Sequence, residues 1–143
     1  MKRLLIILFL VLVTSAVAAA EERPCSREEA MAAEVEAATL KTWSAVDNAY
    51  KKYKHCDDGA IAEGYSWSVM KLLTDQWKTI LELQPYWKES GFRAFVIRHI
   101  DETYSKEEAN AVTENTMKKC PPHISHICEE LRNAVQSAMS GRR

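Results

Sequence analysis

The sequence predicts an all-α fold, an antiparallel bundle of about five helices stapled by disulfides. Three observations carry this. Apolar residues recur at steps of three and four almost everywhere, and Val and Ile never alternate with polar residues over a strand's length. Gly and Pro are sparse, four of each in 143 residues. Clear helix-start signals head the periodic segments.

The N-terminus reads first. Lys2 and Arg3 precede ten unbroken apolar residues, Leu4 to Val13, followed by the small residues "TSAVAAA" and a charged "EER". This is the pattern of a secretory signal peptide, residues 1–20, with Glu21 as the mature N-terminus; cleavage after Ala18 fits nearly as well. Ten helical residues rise only about 15 Å, half the hydrocarbon core, which disfavours a spanning helix. The expected location is the periplasm or the exterior. Residues 21–143 then form one helical domain. Without Lys2 and Arg3 the 19 basic residues fall to 17 against 20 acidic, a net charge of about −3. That leaves no electrostatic footprint for nucleic acid.

Helix one opens with Ser26-Arg27-Glu28-Glu29, an S-x-x-E capping box, and its pattern extends to about Lys54. Trp43, Val46, Tyr50 and Tyr53 form its apolar stripe. The first half, "EEAMAAEVEAATLK", favours helix but offers little to a core. Helix two starts after Asp57 or Asp58 and runs to about Leu83, with Ile61, Tyr65, Val69, Leu72, Leu73, Trp77 and Ile80 on one face. Pro85 is expected to stop it. Helix three follows Ser90-Gly91 and presents Phe92, Phe95, Val96, His99 and Ile100 together. Helix four opens with a second capping box, Ser105 to Glu108, and ends at Cys120 before two prolines. Helix five starts near Ser125, lined by Ile124, Ile127, Cys128, Leu131, Val135 and Met139.

Between helices one and two lies "HCDDGAIAEGY". It reads as a capped corner. An aspartate accepts from the orphan N–H groups, and Gly59 eases the turn. Gly64 is the residue that a corner explains least. A glycine inside a helix costs up to about 1 kcal/mol against alanine. It serves a close approach by another helix or a partner protein, and Ser66 and Ser68 beside it are also small.

Four cysteines in an exported chain read as two disulfides. An unbroken helix over 26–55 would be about 45 Å long, which forbids a Cys25–Cys56 bond. Either helix one bends, near Thr39, Thr42 or Ser44, or Cys25 is bridged to none of the other three. The favoured bond is Cys120–Cys128, with Cys56 to one of these two as competitor and Cys25 left odd.

Nothing points to catalysis: there is no nucleophile elbow, zinc-protease helix, phosphate loop or dinucleotide fingerprint. The carboxylates Asp57, Asp58 and Glu63 lie near a helix N-terminus, whose positive end favours ionised carboxylates and so does not suit a general acid. "CPPHISHIC" places Cys120, His123, His126 and Cys128 within nine residues, but the spacing matches no common zinc framework and a disulfide would consume both thiolates. His99 reads as a satisfied core histidine. No enzyme, metal or cofactor is expected. Trp67 stands about 200° off the Tyr65 stripe, and Tyr86-Trp87 is expected in a loop. Exposed aromatics of this kind anchor protein interfaces.

"HCDDGAIAEGYSWSVMKLLTDQW" and "FRAFVIRHIDET…CPP…C" resemble a group of short exported bacterial all-α proteins, over most of the chain after about Trp43. In layout the chain is also similar to the periplasmic immunity proteins of type VI secretion amidase effectors. The shared features are the signal peptide, a cysteine where helix one ends, a glycine in the following helix and a late cysteine. That resemblance implies a small disulfide-bearing protein that binds a cell-wall amidase and blocks it; no site residue carries over from it. The expectation is a periplasmic protein that neutralises or regulates a partner protein, such as a secreted toxin or cell-wall hydrolase. Asp57, Asp58, Glu63 and Trp67 are its expected binding residues. The alternatives are an envelope protein that self-associates, as a homodimer for example, and a small hydrolase.

Overall fold

The computed structural model describes residues 23–101 and 103–141. The signal peptide, residues 1–20, and the expected domain start at Glu21 lie outside them. Among the described residues there are seven α-helices and no strand. They are α1 (Arg27–Ala37), α2 (Trp43–Tyr53), α3 (Gly59–Thr74), α4 (Ile80–Trp87), α5 (Ser90–Arg98), α6 (Lys106–Lys118) and α7 (Ser125–Ser140). No helix among them is long and apolar enough to cross a membrane.

Seven replaces the expected five because two long segments break. The first breaks after Ala37. Thr39 Oγ1 donates back to the Glu36 carbonyl at 2.8 Å, and the Thr42 side chain caps α2 by accepting from Ala45 N at 3.1 Å. Hydroxyls compete with the helical ladder in this way. α2 therefore folds back along α1, and Cys25 bonds Cys56 with their Cα atoms 5.0 Å apart. This corrects the expectation that Cys25 is odd. The obstacle was the 45 Å span of a helix that does not exist as one piece.

The second break follows Thr74, where Thr74 Oγ1 takes the Met70 carbonyl at 2.9 Å. A 3₁₀ turn, Trp77–Thr79, then buries Trp77, whose Nε1 donates to the Lys119 carbonyl at 3.1 Å. Pro85 stops nothing; it sits inside α4. The carbonyl it cannot bond belongs to Leu81, itself 45% exposed, so the gap faces the solvent side of a short helix. Tyr86 and Trp87 accordingly close α4 rather than occupy a loop, and Trp87 is buried.

The remaining elements start as their signals require. Both capping boxes form, Ser26 with Glu29 and Ser105 with Glu108. Cys120 bonds Cys128 and closes the α6–α7 hairpin. The core gathers the periodic residues of every helix, with Tyr50 and Tyr65 each packing on Phe95 at 5.0 Å between ring centroids.

The close approach expected at Gly64 is made by α1. A Cβ at Gly64 would lie 2.8 Å from Ala37 Cβ and 3.0 Å from the Ala38 backbone nitrogen. Ser68 completes the joint. Its hydroxyl donates to the Ala37 carbonyl at 2.6 Å and accepts from Leu40 N at 3.2 Å. Two backbone groups stranded by the α1–α2 break are thereby satisfied from α3.

Candidate functional site

α3 begins with the turn Asp57-Asp58-Gly59. Asp58 is the exposed N-cap, accepting from Gly59 N at 2.8 Å, and Gly59 takes a positive φ of 52°. From this cap the outer face of α3 runs through Glu63, Trp67 and Lys71, spaced four apart so that they share one stripe. Trp67 is 48% exposed, while the other three tryptophans are buried. The Lys71 ammonium lies 4.6 Å from its ring centroid, a cation–π contact, and also 3.3 Å from Asp75.

Trp67 forms the ridge between two clefts. One, of about 210 Å³, is lined by Glu63, Trp67, Met70, Thr103 and Glu108. The other lies against the α1–α2 break and includes Lys41, Ser68, Lys71 and Asp75. The indole thus separates a carboxylate-lined side from a side that carries two lysines. Glu108 and Lys41 come from distant segments, and nothing in the local pattern of α3 announces them.

Of the four expected binding residues, the structure brings Glu63 and Trp67 together and leaves Asp58 at the head of the same helix. Asp57 does not join them. Its side chain is only 2% exposed and turns inward to Arg98 and to His99 Nε2, the latter at 3.2 Å. Asp57 is corrected from a surface contact to an internal counter-ion. The cause is the 3₁₀ turn Lys54–Cys56, which rotates the chain before α3 begins.

Asp57 belongs to a polar chain through the molecule. His99 Nδ1 lies 3.1 Å from Ser66 Oγ, and Ser66 Oγ donates to Asp101 Oδ2 at 2.6 Å. Asp101 Oδ1 accepts from Thr103 N and Oγ1. Burial pushes the carboxyls of Asp57 and Asp101 up, but their partners outweigh it, His99 and Arg98 for Asp57, Ser66 and Thr103 for Asp101. Both end below the usual carboxylate range.

Asp, His and Ser in a row invite comparison with a nucleophile relay. An activated serine donates its hydrogen to the histidine. Here Ser66 is 2% exposed and its hydrogen goes to Asp101. The chain ties the start of α3, its middle, the end of α5 and the following loop together. His99 is the satisfied core histidine that its position on an apolar face suggests. Ser66, Arg98 and Asp101 escaped sequence reasoning because their partners lie 33 to 42 residues away.

The loop "CPPHISHIC" holds its disulfide, with His123 and His126 exposed on either side of buried Ile124. At the start of α1, Glu29 accepts the Ser26 backbone N–H of the capping box, which heads the causes that lower its pKa to about 2. Compared with protein families, curated proteins and solved structures, the chain shows no match, so its function is read from its own residues.

Proposed function

We propose that this chain is a periplasmic binding protein that neutralises or regulates a partner protein, in the manner of an immunity protein. One observation carries the reading: Trp67 is held open on the surface while Trp43, Trp77 and Trp87 are buried. A large aromatic kept out of the core, on a helix fixed by the α1 joint and the internal polar chain, offers an interface a rigid anchor. Glu63, Glu108 and Lys71 around it provide the polar rim that such anchors use. Two disulfides and the N-terminal pattern suit an oxidising compartment.

The test is capture from periplasmic extract with the mature, oxidised chain as bait, identified by mass spectrometry and repeated with Trp67→Ala. The expected result is one stoichiometric partner whose binding weakens by more than about 2 kcal/mol in the variant, with the melting temperature almost unchanged. Equal capture by Trp67→Ala removes the site.

A second reading, self-association, draws on Met31 and Val35. They lie four apart on the face of α1 turned away from α3, exposed at 60% and 78%. Dimers that form with rising concentration and vanish in Met31→Lys/Val35→Lys would favour it; a monomer at high concentration would remove it.

A further inference from the structure

Four metal-ligand side chains converge where the α1–α2 hairpin closes. A Glu29 carboxylate oxygen, a His55 ring nitrogen and Cys56 Sγ lie within 4.8 Å of one another, and Cys25 Sγ is bonded to Cys56 Sγ. His55 is the independent pointer. Its side chain is only 10% exposed, yet Nε2 makes no well-formed hydrogen bond, only a loose contact with Glu29. Buried ring nitrogens are ordinarily paired. Glu29 Oε2 lies 3.4 Å away and is shared with the Ser26 backbone N–H, which it also accepts.

We propose that reduction of the Cys25–Cys56 disulfide turns this corner into a zinc site, with Cys25, Cys56, His55 Nε2 and Glu29 as ligands. Two thiolates, an imidazole and a carboxylate suit tetrahedral Zn²⁺. The electrons come from a dithiol. One of its thiolates attacks a protein sulfur, its second closes the cyclic disulfide, and both cysteines leave as thiols. Zn²⁺ then binds, the two thiols release two protons to solvent, and His55 contributes its lone pair. Arg23 pairs with the other Glu29 oxygen at 2.6 Å and would orient the carboxylate from behind. An open cleft of about 580 Å³, lined by Cys25, Lys54 and His55 among others, admits both reductant and ion. The hairpin then has two interchangeable clasps, covalent when oxidised and coordinate when reduced. The other disulfide has no equivalent, since its flanking histidines are exposed.

The test uses the mature chain carrying Cys120→Ser/Cys128→Ser, reduced with dithiothreitol and freed of it anaerobically, then titrated with Co²⁺ and back-titrated with Zn²⁺. The expected result is one Co²⁺ per chain, a thiolate-to-cobalt charge-transfer band with tetrahedral ligand-field bands, and displacement by one equivalent of Zn²⁺. The same chain kept oxidised should show none of these. His55→Ala should weaken Zn²⁺ binding at least about tenfold. Glu29→Gln, which keeps the capping box, should weaken it too and guards against misfolding of the histidine variant. No stoichiometric metal in the reduced chain, or equal affinity in both variants, overturns the proposal.

Discussion

Gly64→Ala tests the joint on which the fold turns. In an isolated helix the substitution stabilises by up to about 1 kcal/mol. Here the new methyl meets Ala37 Cβ at 2.8 Å, Ala38 N at 3.0 Å and the Ala37 carbonyl carbon at 3.2 Å. Unstrained carbon contacts lie near ~3.5–4.0 Å, so α1 must retreat by roughly 0.7 Å or more. It cannot retreat freely. The Cys25–Cys56 bond holds its start and the Ser68 hydroxyl its end. Two of the three opposing atoms are backbone, so no side-chain rotation relieves them. Overpacking of this kind costs about 1–3 kcal/mol, and the upper part of that range applies. Less the propensity gain, the expected net loss is about 1–2 kcal/mol. For a chain of this size that lowers the melting temperature by roughly 4–8 °C. The assay is urea unfolding with thermal melts of the oxidised protein, and the midpoint should fall while the m-value stays constant. A double-mutant cycle with Ala37→Gly isolates the contact, with an expected favourable coupling of about 0.5–1 kcal/mol. A Gly64→Ala protein as stable as the parent, or more so, would refute the reasoning, since α1 would then be free to move.

Two further predictions concern the staples and the acid limit. The disulfides close loops of 31 and 8 residues. Chain entropy then assigns about 3.7 kcal/mol to Cys25–Cys56 and about 2.5 kcal/mol to Cys120–Cys128. Cys25→Ser/Cys56→Ser should therefore shift the urea midpoint further than Cys120→Ser/Cys128→Ser; the reverse order would show that the long loop stays closed without its bond. Asp57 and Asp101 have folded pKa values below their unfolded ones, near 3.9 for a free aspartate. The unfolded chain then binds more protons, so their contribution is complete above about pH 4 and is lost as pH falls through the lowered folded values. Glu29, lowered to about 2, acts in the same direction. Urea midpoints should fall from pH 6 to pH 3, with a flatter slope in Asp101→Asn; midpoints that hold constant over this range contradict the assignment.

Much of the local structure was legible in the sequence, though Pro85 inside α4 and the helical place of Tyr86-Trp87, expected in a loop, were not. Both capping boxes, the corner at Asp58-Gly59 and the apolar faces of α3, α5 and α7 follow from spacing and from residues that act within one turn of themselves. Trp67 was legible as well, because a tryptophan 200° from its helix's stripe has nowhere in the core to go. Gly64 was legible as an unexplained cost, though not as the seat of Ala37.

The sequence named Thr39 and Thr42 as places for a bend, but only the tertiary structure decided whether the long helical patterns break and which distant groups meet. An Ala-rich segment is consistent with continuing past Ala37 or stopping there. The choice depends on Ser68, 31 residues on, taking up the carbonyl that the break releases. That break lets α2 return along α1, which permits Cys25 to reach Cys56 and sets His55 beside Glu29. The 3₁₀ turn Lys54–Cys56 likewise carries Asp57 off the surface to His99, 42 residues on. Helical periodicity is written within about four residues, whereas such bonds are chosen by whichever packing leaves the fewest buried polar groups unpaired.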